Sequence, residues 1–226
     1  MILVVSDRPW VAAAFVKWTQ AWYDNPDATA LVTTPRALAE VFDYIRPDAM
    51  IFPHWSHHVS ASMYNLVRCI GFHLGDLPQG RGGTPLQNLL VRGIYKTHLC
   101  AFKITEEMDA GPVYLREPVD LSEGSAEMIY QDLARRSLRM AEKILRDDVQ
   151  PKPQVGRPTV WKRRTPEDSL IPKGLSVTGL YDYIRMLDAP GYPRAFMAAA
   201  GYRLTFSNAR LTPTGILADV QIAELS

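Results

Sequence analysis

The chain has 226 residues, of which 47% are hydrophobic and 22% charged, and its formal net charge is +1 at pH 7. This composition is typical of a globular protein with a sizeable core, so it excludes a largely disordered chain. A protein that binds a polyanion carries a basic surface, so the near-zero charge argues against nucleic acid as the main partner. No apolar run approaches the roughly 20 residues of a membrane span. We therefore expect neither nucleic acid nor a membrane among the partners.

The first part of the chain alternates short apolar runs with amphipathic segments. The pattern predicts strands at residues 3–5, 30–33, 49–52 and 68–72, and helices at 10–22, 35–45 and 60–66. Thr34 is the expected N-cap of the second helix, because Pro35 follows it in the first turn. Continuously apolar strands that alternate with helices are typical of a parallel sheet covered on both faces. The first strand-to-helix turn, residues 6–9, contains no glycine, which argues against a dinucleotide-binding turn.

The alternation continues to about residue 150, and the chain after residue 158 predicts a second, smaller part. Helices are expected at residues 84–93, 125–146 and 178–187, and strands at 98–104, 113–119, 202–206 and 216–220. The prolines at 151, 153 and 158 are typical of a stiff linker. We predict a Rossmann-like α/β domain with a mostly parallel open sheet over residues 1–150. A proline-rich linker over 151–158 and a small α+β subdomain over 159–226 would follow it.

The cysteines and the N-terminus favour a cytoplasmic location. Cys69 and Cys100 each lie inside an apolar stretch, as buried free thiols of cytosolic proteins do. Residues 1–7 lack a basic region before their apolar run, so they do not resemble a signal peptide.

Four of the five histidines fall between positions 54 and 73, and acidic residues follow them. His54 comes after the predicted strand that ends at residue 52, and His73 after the one that ends at 72. Because the carboxyl ends of parallel strands line one crevice, we expect both imidazoles to face the same cleft. A histidine at the end of a strand can also simply cap a turn. Two of them, followed by Asp76 and Asp109, favour a functional site.

A metal site is one alternative reading of these histidines. His54, His57 and His58, joined by a carboxylate, are residue types that hold a metal for hydrolysis. Their spacing does not place two imidazoles on one face of a helix, so we favour a site without metal. His57 and His58 can also be read as the polar start of a helix.

Two further segments could bind an anion. The loop 76–85 has three glycines around Arg81 and opens a helix, so its backbone could approach a ligand. It could equally be a tight connection, and it lacks the Lys-Ser/Thr pair of a P-loop. The basic run Lys162–Arg164 is typical of a solvated surface more often than of a phosphate clamp.

Three short segments stand out as a set: FHLGDLP at residues 72–78, GRGGTP at 80–85 and MDAGP at 108–112. They resemble the formyltransferase family that uses 10-formyltetrahydrofolate. His73 and Asp109 lie 36 positions apart, which is the spacing of that family's catalytic His and Asp. The segment WKRRTPED at 161–168 resembles the sugar-nucleotide formyltransferases of this family, which is related to methionyl-tRNA formyltransferase.

Two positions depart from the family's pattern. The family's Asn, two residues before the His, falls on Gly71, and its Ser-Leu pair falls on Gly75 and Asp76. We expect His54 to take the place of the missing Asn, with Gln87 or Asn88 as alternatives. A loss of catalysis is the competing explanation.

The resemblance implies a site with three groups of residues. In catalysis, His73 would donate to the developing oxyanion while Asp109 orients its imidazole and relays a proton, and we add His54 as a second donor. Folate binding is implied for His58, Val59, Ser60, Thr105, Glu106, Glu107, Met108 and Asp109. Substrate binding is assigned to Arg81, Gly82, Gly83, Trp161, Lys162 and Arg163. No metal is required.

The predicted function is transfer of a formyl group from 10-formyltetrahydrofolate to the amine of an amino-dideoxy sugar linked to dTDP, UDP or GDP. Such products serve surface polysaccharide biosynthesis, including lipopolysaccharide. Transfer RNA is disfavoured as the acceptor, because a near-neutral chain lacks phosphate-neutralising contacts. The alternatives are methionyl-tRNA or another small amine as acceptor, a formyltetrahydrofolate hydrolase, and a silent folate or nucleotide binder. We also expect a homodimer.

Overall fold

The structure, a computed structural model, describes residues 1–22 and 28–225. The chain separates into two compact units. The first comprises Met1–Gly82, His98–Pro118 and Tyr130–Val160, and the second comprises Gly83–Thr97, Val119–Ile129 and Trp161–Ser226. Two segments from within residues 1–150 therefore group with the C-terminal part of the chain, and the boundary at residue 150 stays a prediction.

Strands and helices alternate along the described chain. The strands are β1 (Ile2–Val5), β2 (Thr29–Val32), β3 (Ala49–Phe52), β4 (Arg68–Leu74), β5 (Arg81–Gly82), β6 (Lys96–Lys103), β7 (Val113–Asp120), β8 (Val160–Trp161), β9 (Phe196–Ala199), β10 (Tyr202–Thr212) and β11 (Gly215–Glu224). The α-helices are α1 (Pro9–Trp22), α2 (Pro35–Tyr44), α3 (Ala61–Tyr64), α4 (Pro85–Leu90), α5 (Ala126–Arg146) and α6 (Val177–Arg185), and a 3-10 helix covers Pro166–Ser169. None of the helices in the described ranges is both long and apolar enough to cross a membrane.

A six-stranded sheet has the order β2-β1-β3-β4-β6-β7. Strands β1 to β4 are parallel neighbours, and β6 runs antiparallel to β4. The chain moves outward from β1 to β2 and returns past β1 to β3. Because such crossovers are right-handed, α1 and α2 lie on opposite faces of the sheet. The predicted α/β class with a mostly parallel sheet is confirmed.

One core cluster joins alternate strand residues to helix α2. Its buried members include Leu3, Val5, Met50, Phe52, Leu38 and Phe42. Val4 and Ile51, which point to the opposite face, are also fully buried, as continuously apolar strands predict. Thr34 caps α2 as predicted, because its Oγ1 accepts a hydrogen bond from the N–H of Ala37 at 3.1 Å.

Strand β4 is longer than the sequence predicts, and this changes the position of the candidate histidine. His73 pairs with Cys100 and Leu74 pairs with Leu99, so pairing with the antiparallel β6 extends β4 beyond residue 72. His73 therefore lies inside a strand rather than after one. Cys100 and Cys69 are buried free thiols, as predicted.

The second unit contains an antiparallel sheet of β9, β10 and β11, and helix α6. Arg185 of α6 is 1% exposed, and its guanidinium donates to Asp182 and to the carbonyls of Leu121 and Gly124. Tyr95 donates to Asp182 at 2.6 Å. These bonds explain why residues 83–97 and 119–129 belong to this unit. The predicted α+β character of the C-terminal part is confirmed.

The predicted linker, residues 151–158, is hydrogen-bonded to the rest of the first unit. Lys152 pairs with Val113 through both backbone groups, at 2.8 and 2.9 Å. The carbonyl of Arg157 accepts from the side chain of Gln79 at 2.7 Å. The segment thus runs along the first unit, and its role between two domains stays a prediction.

Candidate functional site

The structure brings together His73 of β4 and Asp109 of the loop after β6. Nδ1 of His73 lies 3.3 Å from Oδ2 of Asp109, and the imidazole is 4% exposed. Asp109 has a φ of 54°, in the left-handed region that residues with a side chain rarely adopt. His73 and Asp109, which are 36 positions apart in the sequence, therefore form one buried His–carboxylate contact.

The other ring nitrogen of His73 also has a partner. Nε2 lies 2.9 Å from the carbonyl oxygen of Gly80. A carbonyl only accepts, so either neutral tautomer leaves one nitrogen lone pair facing an oxygen, and the imidazolium satisfies both partners. Burial nevertheless lowers the pKa of His73, against the opposing effects of Asp109 and Gly80. Burial and hydrogen bonding thus favour different protonation states of this imidazole.

The glycine-containing loop after β4 holds both members of the pair. Gly80 accepts from His73, and the N–H of Gly82 donates to Oδ2 of Asp109 at 2.9 Å. The φ angles of Gly80 and Gly82 are 69° and 104°, which side chains would oppose. The sequence predicted that this backbone could approach a ligand. In the structure this backbone instead contacts His73 and Asp109, the candidate catalytic residues.

Arg81 is held inside the first unit. Its Nε and Nη2 lie 3.3 and 2.8 Å from Oε1 of Gln154, and its Nη1 lies 2.9 Å from Oε1 of Glu107. The side chain is 11% exposed. These bonds argue against Arg81 as a phosphate clamp, although its substrate-binding role stays a prediction.

Sequence reasoning missed Gln154, which lies in the predicted linker. Its Nε2 donates to the carbonyls of Asp109 and Gly111, at 2.7 and 2.9 Å. Nothing in the local sequence points to these bonds, since they join segments that are distant along the chain.

His54 lies in an aromatic cluster. Its ring centroid is 5.2 Å from that of Trp10 and 4.5 Å from that of Tyr130, which meets it edge-on. The two larger rings stack on each other at 5.1 Å. These contacts are typical of packing, so they give no support to His54 as an oxyanion donor, and that role stays a prediction.

The two amides offered as alternatives to His54 are engaged within the second unit. Nδ2 of Asn88 donates to the carbonyls of Gly83, Thr84 and Lys162 at 3.0 to 3.2 Å. Nε2 of Gln87 donates to the carbonyl of Met186 at 2.7 Å. Both amides therefore serve the structure of that unit.

Gly71 sits against an aromatic ring. A Cβ at this position would lie 2.7 Å from Cζ of Phe102 and 3.1 Å from Cγ1 of Ile104. Phe102 is the direct cross-strand partner of Gly71. The ring thus occupies the space that the Asn of the family motif would need.

The residues implied in folate binding differ in exposure. Val59 is part of the core and is buried, whereas His58 is exposed. Ser60 precedes α3, and its hydroxyl lies 2.7 Å from that of Ser62. In the second segment Thr105 is half-buried, and the exposed members are Glu106, Glu107 and Met108. Met108, directly before Asp109, is 69% exposed.

The residues assigned to substrate binding divide between the two units. Arg81 and Gly82 belong to the first, and the others, Gly83, Trp161, Lys162 and Arg163, belong to the second. A Cβ at Gly83 would lie 2.6 Å from Cβ of Arg163, so this glycine permits a close approach within the second unit. The guanidinium of Arg92 lies 5.1 Å from the centroid of the Trp161 ring. Lys162 and Arg163 are exposed.

The candidate metal ligands do not assemble. In the ranges 1–22 and 28–225, no group of three His, Cys, Asp or Glu side chains is placed to hold a metal ion. His57 instead lies beside Asp7, with Nε2 3.7 Å from Oδ2, and its ring is 4.6 Å from that of Trp55.

Comparisons with known proteins link the chain to formyltransferases. A solved structure described as methionyl-tRNA formyltransferase from Clostridium thermocellum matches 99% of this chain and 98% of its own, with 37% identity and a TM-score of 0.92. Residues 166–223 match the family model of the methionyl-tRNA formyltransferase C-terminal domain. The methionyl-tRNA formyltransferase of Francisella philomiragia is 23% identical over 74% of this chain and 54% of its own length, so the chain spans about half the length of such curated relatives. A sugar N-formyltransferase from a Shewanella species shares the fold over 100% of this chain and 98% of its own, with a TM-score of 0.64 and 16% identity.

Proposed function

Because the chain belongs to the formyltransferase family, we propose that it transfers a formyl group from 10-formyltetrahydrofolate to an amine. The single observation that carries this proposal is the buried contact between His73 and Asp109, 3.3 Å apart. Acyl transfer to an amine needs a donor for the developing oxyanion and a group that accepts the amine's proton. One imidazole–carboxylate pair can supply both.

The two residues take different parts in this proposal. Nε2 of His73 faces a carbonyl rather than a carboxylate. The N–H on Nε2 is therefore the donor for the oxyanion. It contacts the oxyanion after its hydrogen bond to the Gly80 carbonyl has broken. Asp109 faces Nδ1, so it keeps the ring in orientation, and its carboxylate takes up the proton that the amine loses. When that proton is shared with Nδ1, the carboxylate stabilises the imidazolium so formed.

In this proposal the folate binds at the loop that carries Asp109. The residues that would hold it are Thr105–Asp109 together with His58–Ser60, mainly through backbone groups. The exposed Met108 offers an apolar surface next to Asp109. When bound, 10-formyltetrahydrofolate supplies an activated formyl group, and the proposed transfer needs no metal.

We propose a nucleotide-linked amino-dideoxy sugar as the acceptor, with dTDP, UDP or GDP as the nucleotide and surface polysaccharide as the destination. The WKRRTPED segment and the net charge of +1 support a small acceptor. Roles of Lys162 and Arg163 toward the diphosphate belong to this proposal. Methionyl-tRNA is the second candidate, because relatives at 37% and 23% identity carry that name.

We also propose that the protein is a homodimer and lies in the cytoplasm. Ile222 and Val220 of β11 are 64% and 45% exposed, and they pair with Leu204 and Phe206 of β10. Directly opposite residues of an antiparallel pair lie on one face, so this hairpin presents an apolar face that a second copy would cover. Sedimentation of the protein with and without Ile222→Lys tests this point.

The deciding experiment follows tetrahydrofolate release with separate acceptors. The panel contains amino sugars linked to dTDP, UDP and GDP, methionyl-tRNA, and no acceptor, with His73→Asn as the background control. Release that depends on an amino sugar nucleotide supports the proposal, and release with methionyl-tRNA alone supports the second candidate. Release without any acceptor would mean a hydrolase. Folate binding without release would mean a silent binder.

A further inference from the structure

We propose that Gln154 is a positioning residue, whose side-chain amide fixes the loop of Asp109 and the loop of Arg81 around His73. The effect of Gln154 on catalysis rests on the proposed function, whereas its fixing of the two loops does not. Nε2 donates to the carbonyls of Asp109 and Gly111, at 2.7 and 2.9 Å, so both amide hydrogens are used on one loop.

The Asp109 loop needs such a constraint. Asp109 has a φ of 54°, a conformation disfavoured for a residue with a side chain, and this backbone sets the direction of its carboxylate. Gly111 lies so close to β6 that a Cβ would be 1.7 Å from the carbonyl oxygen of Lys103. Next to Gly111, the carbonyl of Pro112 accepts from the N–H of Lys103 at 2.8 Å, so the loop is bonded to β6 there, and Gln154 extends this restraint to Asp109.

The side-chain oxygen of Gln154 holds the loop of Arg81. Oε1 of Gln154 accepts from Nε and Nη2 of Arg81. Arg81 stands between Gly80, which accepts from His73, and Gly82, which donates to Asp109. One side chain therefore connects both loops whose backbones contact the pair.

Only an amide meets these requirements. The two carbonyls need donors and the guanidinium needs an acceptor, so the orientation of the amide is fixed by its partners. A carboxylate at this position would keep the bond to Arg81 and lose both bonds to the Asp109 loop. A methionine of similar length would lose all of them.

The segment that carries Gln154 is itself held in place. Lys152, two residues earlier, pairs with Val113, and Thr159 accepts from the N–H groups of Arg81 and Gly80 through its carbonyl and Oγ1. Residues 152–159 therefore run beside both loops, which gives this predicted linker a part in the site.

The variants are Gln154→Glu and Gln154→Met, with Gln150→Met as the matched control, because the Gln150 amide donates to Asp148. We expect kcat to fall about 10- to 100-fold in both Gln154 variants, since small displacements of catalytic groups have effects of this size. KM for the formyl donor should change less than twofold. Gln150→Met should retain wild-type kcat.

Two NMR measurements test whether Gln154 fixes the two loops, and they do not depend on formyl transfer being found. In the wild type, both Nε2 hydrogens of Gln154 should exchange at least about tenfold more slowly than those of exposed Gln20. In Gln154→Met, the His73 imidazole signal, assigned by its loss in His73→Asn, should move, while it stays in place in Gln150→Met. Exchange of the Gln154 amide as fast as that of Gln20 overturns the proposal, as does an unmoved His73 signal. Wild-type kcat in Gln154→Glu, in a protein that transfers formyl, also overturns it.

Discussion

Gly71 and Phe102 face each other across strands β4 and β6, and the Phe102 ring fills the space that a side chain at position 71 would occupy. The ring is also packed with Leu77, Cys100 and Val113 in a buried cluster. The wall of the site is therefore apolar where the family motif places an Asn. Position 71 therefore supplies no amide to the pair of His73 and Asp109.

The first prediction concerns this contact. Gly71→Asn should destabilise the protein by about 1–3 kcal/mol, because a Cβ 2.7 Å from a buried ring overpacks the core. The same change should be less costly in a Phe102→Leu background, so a double-mutant cycle in urea unfolding should show coupling. Additive effects of the two substitutions would contradict this explanation.

The second prediction concerns the candidate catalytic pair. His73→Asn and Asp109→Asn should each lower kcat by about 100-fold or more, with unchanged circular dichroism spectra. His98 and Asp76 form a matched control, since they are a second His–Asp contact and both are about half exposed. His98→Asn should retain wild-type kcat. Equal losses in the His73 and His98 variants would remove the catalytic assignment.

The third prediction concerns pH. Burial lowers the pKa of His73 below its usual 6.5, so the unfolded chain takes up this proton before the folded protein does. The contribution of a neutral His73 to the free energy of unfolding is therefore full above pH 6.5 and is lost as pH falls below it. Thermal unfolding at pH 7.5 and pH 5.5 should show a smaller acid-induced loss in His73→Asn than in the wild type. An equal acid-induced loss of stability in both proteins would contradict the claim that the buried His73 imidazole is neutral in the folded protein.

Much of the fold follows from the sequence because the signal is local. Continuous apolar runs such as Ala49–Phe52 mark buried strands, and Thr34 marks a helix start by the hydrogen bond it makes three residues on. The closeness of His73 and Asp109 followed from a motif rather than from periodicity. The bonds of Gln154, and the ring of Phe102 against Gly71, depend on cross-strand register and on chain segments that meet only in the folded protein. No local pattern carries that information.

The fourth prediction separates two basic residues that the sequence treats alike. Arg81 is bonded to Gln154 and Glu107, so Arg81→Ala should lower kcat more than it raises KM for the acceptor. Arg163 is exposed, so Arg163→Ala should instead raise KM with little effect on kcat if this residue contacts a diphosphate. Steady-state kinetics with the best acceptor measures both. The same kinetic pattern in both variants would contradict the distinction.

The most direct test of formyl transfer by this protein follows the formyl carbon itself. The protein is mixed with 10-formyltetrahydrofolate labelled with carbon-13 in the formyl group and with the best acceptor of the panel, and carbon-13 NMR identifies the product. We expect an acceptor formamide signal that appears with the wild type and is lost in His73→Asn and Asp109→Asn. Label found only as formate, or a formamide signal of the same strength in the two variants, would contradict it.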